Sequence, residues 1–141
     1  MWVLTVQVRG EQASTPADAV VGTVSLARGV YSAGQATRGK AHYAAFCASC
    51  HLGDLSGSLS ADTGAPPLRG LPFVASMARI GVASFFDHVK ATMPFDDPGS
   101  LKDAQYLDIL TYLFDVNGFP SGPDDLTLVA LPRLRVPSPT R

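Results

Sequence analysis

Cysteine is scarce in this chain: its 141 residues hold only two, Cys47 and Cys50. A scaffold built on several disulfides is therefore excluded. Charge of one sign is lacking too. The formal net charge of −1 leaves no broad field to attract nucleic acid. No apolar run approaches the ~18 residues of a membrane span. Hairpin signals and internal repeats are absent. A usable export signal is also missing. Trp2-Val3-Leu4-Thr5-Val6 is shorter than a signal core, and Arg9 and Glu11 follow it closely. Ala17-Asp18-Ala19 resembles a cleavage site with nothing usual before it. The expectation is a misplaced start codon or a trimmed chain in preference to an unusual signal.

What is present starts with Cys47-Ala48-Ser49-Cys50-His51. C-x-x-C-H reads as a c-type haem attachment site. Two thiols at i and i+3 share a helical face about one turn apart. That spacing suits two thioethers on one edge of a haem, with His51 placed under the ring to bind iron. Other uses fit less well. A thioredoxin-like dithiol belongs in a βαβ pattern, yet Gln35 to Phe46 is Ala-rich without a strand-like run. A structural zinc site needs four ligands, and only His42 and His88 remain. Covalent haem attachment normally takes place outside the cytoplasm, which points to the periplasm.

The length suits one domain with tails. With 13 glycines and 11 prolines, long irregular connections are expected around a large cofactor. We read residues 1–32 as a loosely packed leader, 33–120 as the domain and 121–141 as a proline-rich extended tail. Ser32 is placed to cap a helix from Ala33 to Ala48, with Ala36, Gly39, Tyr43 and Phe46 on one face. Gly39 marks either a close helix approach or a tolerated surface glycine. A turn-rich loop runs from Leu52 to Leu71. Phe73 to Arg79 reads as a short helix. Ser84-Phe85-Phe86-Asp87 reads as a capping box for a helix to about Ala91. A second box, Ser100-Leu101-Lys102-Asp103, opens a helix whose apolar face is Tyr106, Leu107, Leu110, Leu113 and Phe114. Asn117-Gly118 and Pro120 end it.

The other haem face takes a ligand or none; the candidates are Met77, Met93, His42 and His88. Met93 is best placed: it follows a helix, Pro94 breaks the backbone after it, and it lies far enough past His51 to wrap the ring. Met/His ligation raises the potential of an electron-transfer haem. A lone methionine is usually core filler, and Met77, among Phe73, Val74 and Ile80, is read that way. His88 is read as a partly exposed helix residue, with bis-His ligation the main alternative. His42 is expected to be solvated.

These residues together resemble mono-haem class I c-type cytochromes over roughly residues 33–120. The order is theirs: Gly39 and an aromatic, the C-x-x-C-H run, Ala65-Pro66-Pro67-Leu68, Met93-Pro94, then a helix with Tyr106 and Tyr112. The resemblance implies an all-α fold of about four to five helices around one covalent haem c. It implies that the first and last helices cross at Gly39, near the Leu110 to Phe114 face. It further implies that Pro66 offers its carbonyl to His51. Within that family the chain is most similar to cytochromes accompanying quinoprotein (PQQ) alcohol dehydrogenases. The matching stretches are Gly29-Val30-Tyr31, Gln35 to Lys40, Asp54-Leu55-Ser56-Gly57, Thr92-Met93-Pro94, Pro98 to Leu101 and Asn117 to Pro120. One departure is the missing tryptophan between Phe73 and Gly81, for which Arg69 or Arg79 would substitute at a haem propionate.

The expected function is thus an electron carrier, not an enzyme by itself. The resemblance implies redox partners: a quinoprotein dehydrogenase as donor, and an oxidase or another cytochrome as acceptor. The competing reading is a haem enzyme or gas sensor with an open or bis-His iron.

Overall fold

The computed structural model describes residues 22–58 and 64–138. The readings made on Trp2 to Val6 and Ala17 to Ala19 lie outside them. The architecture is all-α: α1 is Ala33–Phe46, α2 Ala48–His51, α3 Leu71–Ile80, α4 Val82–Thr92 and α5 Asp103–Val116. Short 3-10 turns occupy Leu26–Arg28 and Leu128–Arg133.

Helix α1 begins where its first turn is capped. Ser32 has extended backbone, and its hydroxyl accepts the Gln35 N–H at 3.0 Å. The helix stops earlier than the expected Ala48. Cys47 leaves helical geometry at φ −124°, and α2 starts afresh at Ala48. The long α1 and α5 form the main helix pair, and they cross with no clearance at Gly39. A Cβ there would overlap the Asp108 carbonyl oxygen and lie 2.9 Å from the Tyr112 Cβ. Of these two, Tyr112 lies within the anticipated Leu110 to Phe114 stretch and Asp108 just before it.

Two capping expectations need correction. Helix α4 begins at Val82, so Ser84 lies inside it. Gly81, at φ +88°, takes the boundary: its N–H closes α3 on the Met77 carbonyl, and its carbonyl receives the Phe85 N–H. Before α5 the box is set two residues later than expected. Gln105 turns its side-chain oxygen back to the Lys102 N–H at 3.0 Å, while Asp103 pairs with Lys90. The Ser100 N–H instead closes a turn on Asp97.

The described parts of the flanks, residues 22–32 and 121–138, do not pack loosely as expected. Val24–Ser25 (β1) and Leu134–Arg135 (β2) pair in parallel, Val24 opposite Leu134. Leu26 and Tyr31 are fully buried, as are Leu126, Leu131 and Leu134, in one cluster with Val82, Phe86, Leu107, Leu110 and Phe114. Each such leucine is worth about 1.5–3 kcal/mol of burial, which explains why a proline-rich stretch stays on the surface of the helices. A second cluster, Tyr43, Leu55, Phe73, Ile109, Tyr112 and Leu113, lies on the side of the cysteine motif.

Candidate cofactor site

The motif is carried on the break between α1 and α2. The carbonyl of Cys47 accepts the N–H groups of Cys50 (3.2 Å) and His51 (2.9 Å), which closes one tight turn. Both cysteines are free and half-buried. Burial, and then the neighbouring Cys50, push the Cys47 thiol up to about 11. A redox-active C-x-x-C dithiol needs the opposite shift. His51 is 6% exposed, and its Nδ1 lies 2.9 Å from the Pro66 carbonyl oxygen. A carbonyl only accepts, so Nδ1 carries the proton and Nε2 keeps its lone pair.

The loop after the motif is folded back to make that contact. The Leu52 carbonyl is held by the Tyr43 hydroxyl at 2.7 Å. The His51 carbonyl accepts the Gly57 N–H at 3.1 Å, and the Leu55 carbonyl accepts the Leu68 N–H at 2.9 Å. Leu55 is 2% exposed although its backbone is left-handed, φ +61°. Gly57, also left-handed, lets the two arms of the loop touch. A Cβ there would stand 2.5 Å from the Ala65 oxygen and 2.7 Å from the Pro66 carbonyl carbon. Arg69 donates to the Asp54 carbonyl at 3.0 Å, so it serves the loop. Arg79 is exposed at the end of α3.

Asn117 ties this loop to α5. Its amide nitrogen donates to the carbonyls of Leu68 (3.1 Å) and Leu113 (2.8 Å), and its oxygen accepts the Gly70 N–H at 2.9 Å. The sequence marks Asn117 only as a helix stop. Gly57 and Asn117 are the site-shaping residues that spacing did not single out.

Met93 is held by a separate set of contacts at the end of α4. Its N–H reaches the Val89 carbonyl at 2.8 Å. Its carbonyl accepts the Tyr106 hydroxyl at 2.7 Å and the Gly99 N–H at 3.3 Å. The side chain is half-buried. Met77 is buried in the core, and His88 is exposed on α4. His42 is not solvated as expected. It stacks on Phe46, and its Nε2 lies 3.7 Å from Asp108, a carboxylate that also receives Arg38 at 3.2 Å. Among the described residues no three His, Cys, Asp or Glu side chains converge as metal ligands, so a zinc module is not built here. A groove of about 450 Å³ between α1 and α5, lined by Ala36, Lys40, Tyr112 and Asp115 among others, touches none of the motif residues.

An imidazole fixed through Nδ1, two adjacent thiols and an apolar flank of Phe46 and Leu52 fit a covalently attached haem. Helical fold and motif together define a class I c-type cytochrome domain with a haem electron-transfer role. The family described as cytochrome c oxidase, cbb3-type, subunit III matches residues 34–113, more than half of the chain. The chain belongs to that family. A search of curated proteins found no match. Among the described residues no helix is long and apolar enough to cross a membrane.

Proposed function

We propose that this chain carries single electrons in the periplasm, from a quinoprotein dehydrogenase to an oxidase or another cytochrome. Cys47 and Cys50 would hold one haem c covalently, and His51 and Met93 would be the side chains that bind its iron. The observation that carries the reading is the buried His51 directly after the paired thiols, its Nδ1 on the Pro66 carbonyl. When bound, the haem supplies a one-electron Fe(II)/Fe(III) couple.

The chain's own residues do the rest. Pro66 sets the tautomer of His51 and raises its basicity as a ligand. Tyr43 and Gly57 hold the turn that follows it. Tyr106 and Gly99 fix the backbone of Met93, and a thioether there favours Fe(II). The family description names an oxidase subunit, which supports an oxidase on the acceptor side. The dehydrogenase donor rests on the stretches matching quinoprotein-associated cytochromes. A bis-His iron is less well supported, because His88 is exposed and His42 is engaged with Asp108.

The test is denaturing electrophoresis with haem staining after expression alongside haem-attachment machinery, followed by oxidised and reduced absorption spectra. A stained band, lost in Cys47→Ala/Cys50→Ala, is expected. Unstained protein overturns the proposal.

A further inference from the structure

The two flanking segments form a clasp closed by polar staples as well as by apolar burial. The Gly122 N–H donates to the Tyr31 carbonyl at 2.6 Å. A Cβ on Gly122 would overlap the Gly29 carbonyl oxygen, so the two chains touch backbone to backbone. Buried Gln35 pairs with both backbone groups of Leu126, at 2.6 and 3.1 Å. Asp125 receives the Ser32 hydroxyl and the Arg38 guanidinium. Arg133 reaches the Gly22 carbonyl at 2.9 Å.

What the clasp grips is specific. The 3-10 turn Leu128–Arg133 and β2 both pack on α4. Leu126, Leu131 and Leu134 share a cluster with Val82 and Phe86 of α4 and Tyr106 of α5. Phe86 meets Tyr106 edge to face at 6.4 Å, and the Tyr106 hydroxyl holds the Met93 carbonyl. Helix α4 also packs on α3 and α5, with Phe85 edge to face on Phe73 at 5.5 Å and Lys90 paired with Asp103. The direct α1–α5 crossing bypasses it entirely, and its start at Gly81 is a left-handed joint. A continuous path of packed groups therefore runs from the chain's flanks to the backbone of Met93.

We propose that the clasp is a positioning device for the sixth-ligand segment. Holding α4 through Val82 and Phe86, it keeps Met93 seated; when it loosens, the sixth coordination position opens to external ligands. The inference rests on the reading of Met93 as a ligand. Local opening follows the stability of the segment that opens, and the clasp contributes to that of α4 beside α3 and α5, so loosening it raises how often Met93 leaves.

The experiment uses the haem-loaded full chain, oxidised, with imidazole as the probe. Gly122→Ala forces the two flanks apart, and Asp125→Ala removes an exposed staple without touching the core. Both lie away from the motif and from Met93. Imidazole binding should quicken in both, about tenfold in Gly122→Ala, equivalent to ~1.4 kcal/mol off the local opening step. Amide hydrogen exchange in α4 should quicken with it while α1 and α5 stay protected. If Gly122→Ala does not accumulate, Asp125→Ala decides by the same two readouts. An unchanged imidazole rate beside a loosened α4, or no change in either, overturns the proposal. A parent protein lacking the thioether-to-iron band overturns the ligand reading beneath it, and that result is visible before any clasp variant is made.

Discussion

His51 Nδ1 and the Pro66 carbonyl oxygen stand 2.9 Å apart, and Gly57 is what lets them do so. Its missing Cβ allows the Ala65-Pro66-Pro67 backbone to lie against the turn after the motif. Gly57→Ala should push that arm away. The substitution also puts a Cβ on a left-handed backbone, which adds to the overpacking. We expect faster exchange of the His51 Nδ1 proton by NMR and a stability loss of about 1–3 kcal/mol in denaturant unfolding. An unchanged Nδ1 resonance would show that the carbonyl does not depend on the glycine.

Met93→Ala should abolish the weak far-red thioether-to-iron band of the oxidised protein and leave the covalent haem in place. Tyr106→Phe should keep the band and cost about 0.5–1.5 kcal/mol for the lost hydrogen bond to the Met93 carbonyl. Should Met77→Ala or His88→Ala remove the native ligation instead, the assignment of Met93 is wrong.

Gly39→Val tests the helix crossing. The new side chain meets the Asp108 backbone, which cannot rotate aside as a side chain could. The loss should reach or exceed the upper end of ordinary overpacking, about 3 kcal/mol, read from urea unfolding. A neutral result is incompatible with the α1–α5 packing described above.

Alkaline pH should act through Tyr31. Burial, with the nearby Asp115 carboxylate, raises its phenol from 10.0 to about 12. The neutral form is the one the fold prefers. Its contribution is complete below the ordinary phenol range and is lost as pH climbs toward about 12. Melting temperatures measured from neutral to strongly alkaline pH should therefore fall more gently in Tyr31→Phe than in the parent. Equal slopes would assign the alkaline loss to other groups.

Reduction by the proposed donor, a quinoprotein dehydrogenase, should depend weakly on salt. The net charge is −1, and large apolar side chains are exposed at Phe46, Leu52 and Phe95. Docking through such a surface gives little long-range steering. Stopped-flow rates at low and high ionic strength measure it; a steep dependence would refute apolar docking.

Local signals in the sequence were reliable where the responsible partner lay within a turn. Ser32 capped its helix. Gly39 alone read equally as a surface glycine; the family resemblance, not a local signal, put it at the crossing with Asp108 and Tyr112. Signals failed where a neighbour competed or where the partner was distant. Ser84 and Asp87 matched a capping pattern, but Gly81 could adopt the left-handed joint and took the boundary. Leu126, Leu131 and Leu134 show no helical period among their prolines, and their burial depends on α4 and α5. His42 carries no hint in its neighbours of Asp108, which reaches it only when the two long helices cross. The attachment motif was legible because its chemistry is contiguous. The Pro66 contact to His51 was expected from the family resemblance; the tie between that loop and α5 was not legible, since Asn117 joins three backbone groups scattered through the chain.

The pairing of Val24 with Leu134 has a consequence in time as well as in space. Among the described residues this is one of the longest loop closures, and a contact of that kind is expected to form late in folding. The α1–α5 crossing closes a shorter loop and does not wait for it. The cysteine-bearing turn is therefore expected to form before the flanks close. Pulse-labelled exchange during refolding should find the Ser25 and Arg135 region protected last. Access to the thiols in that interval would be governed by the order of assembly and not by the finished surface.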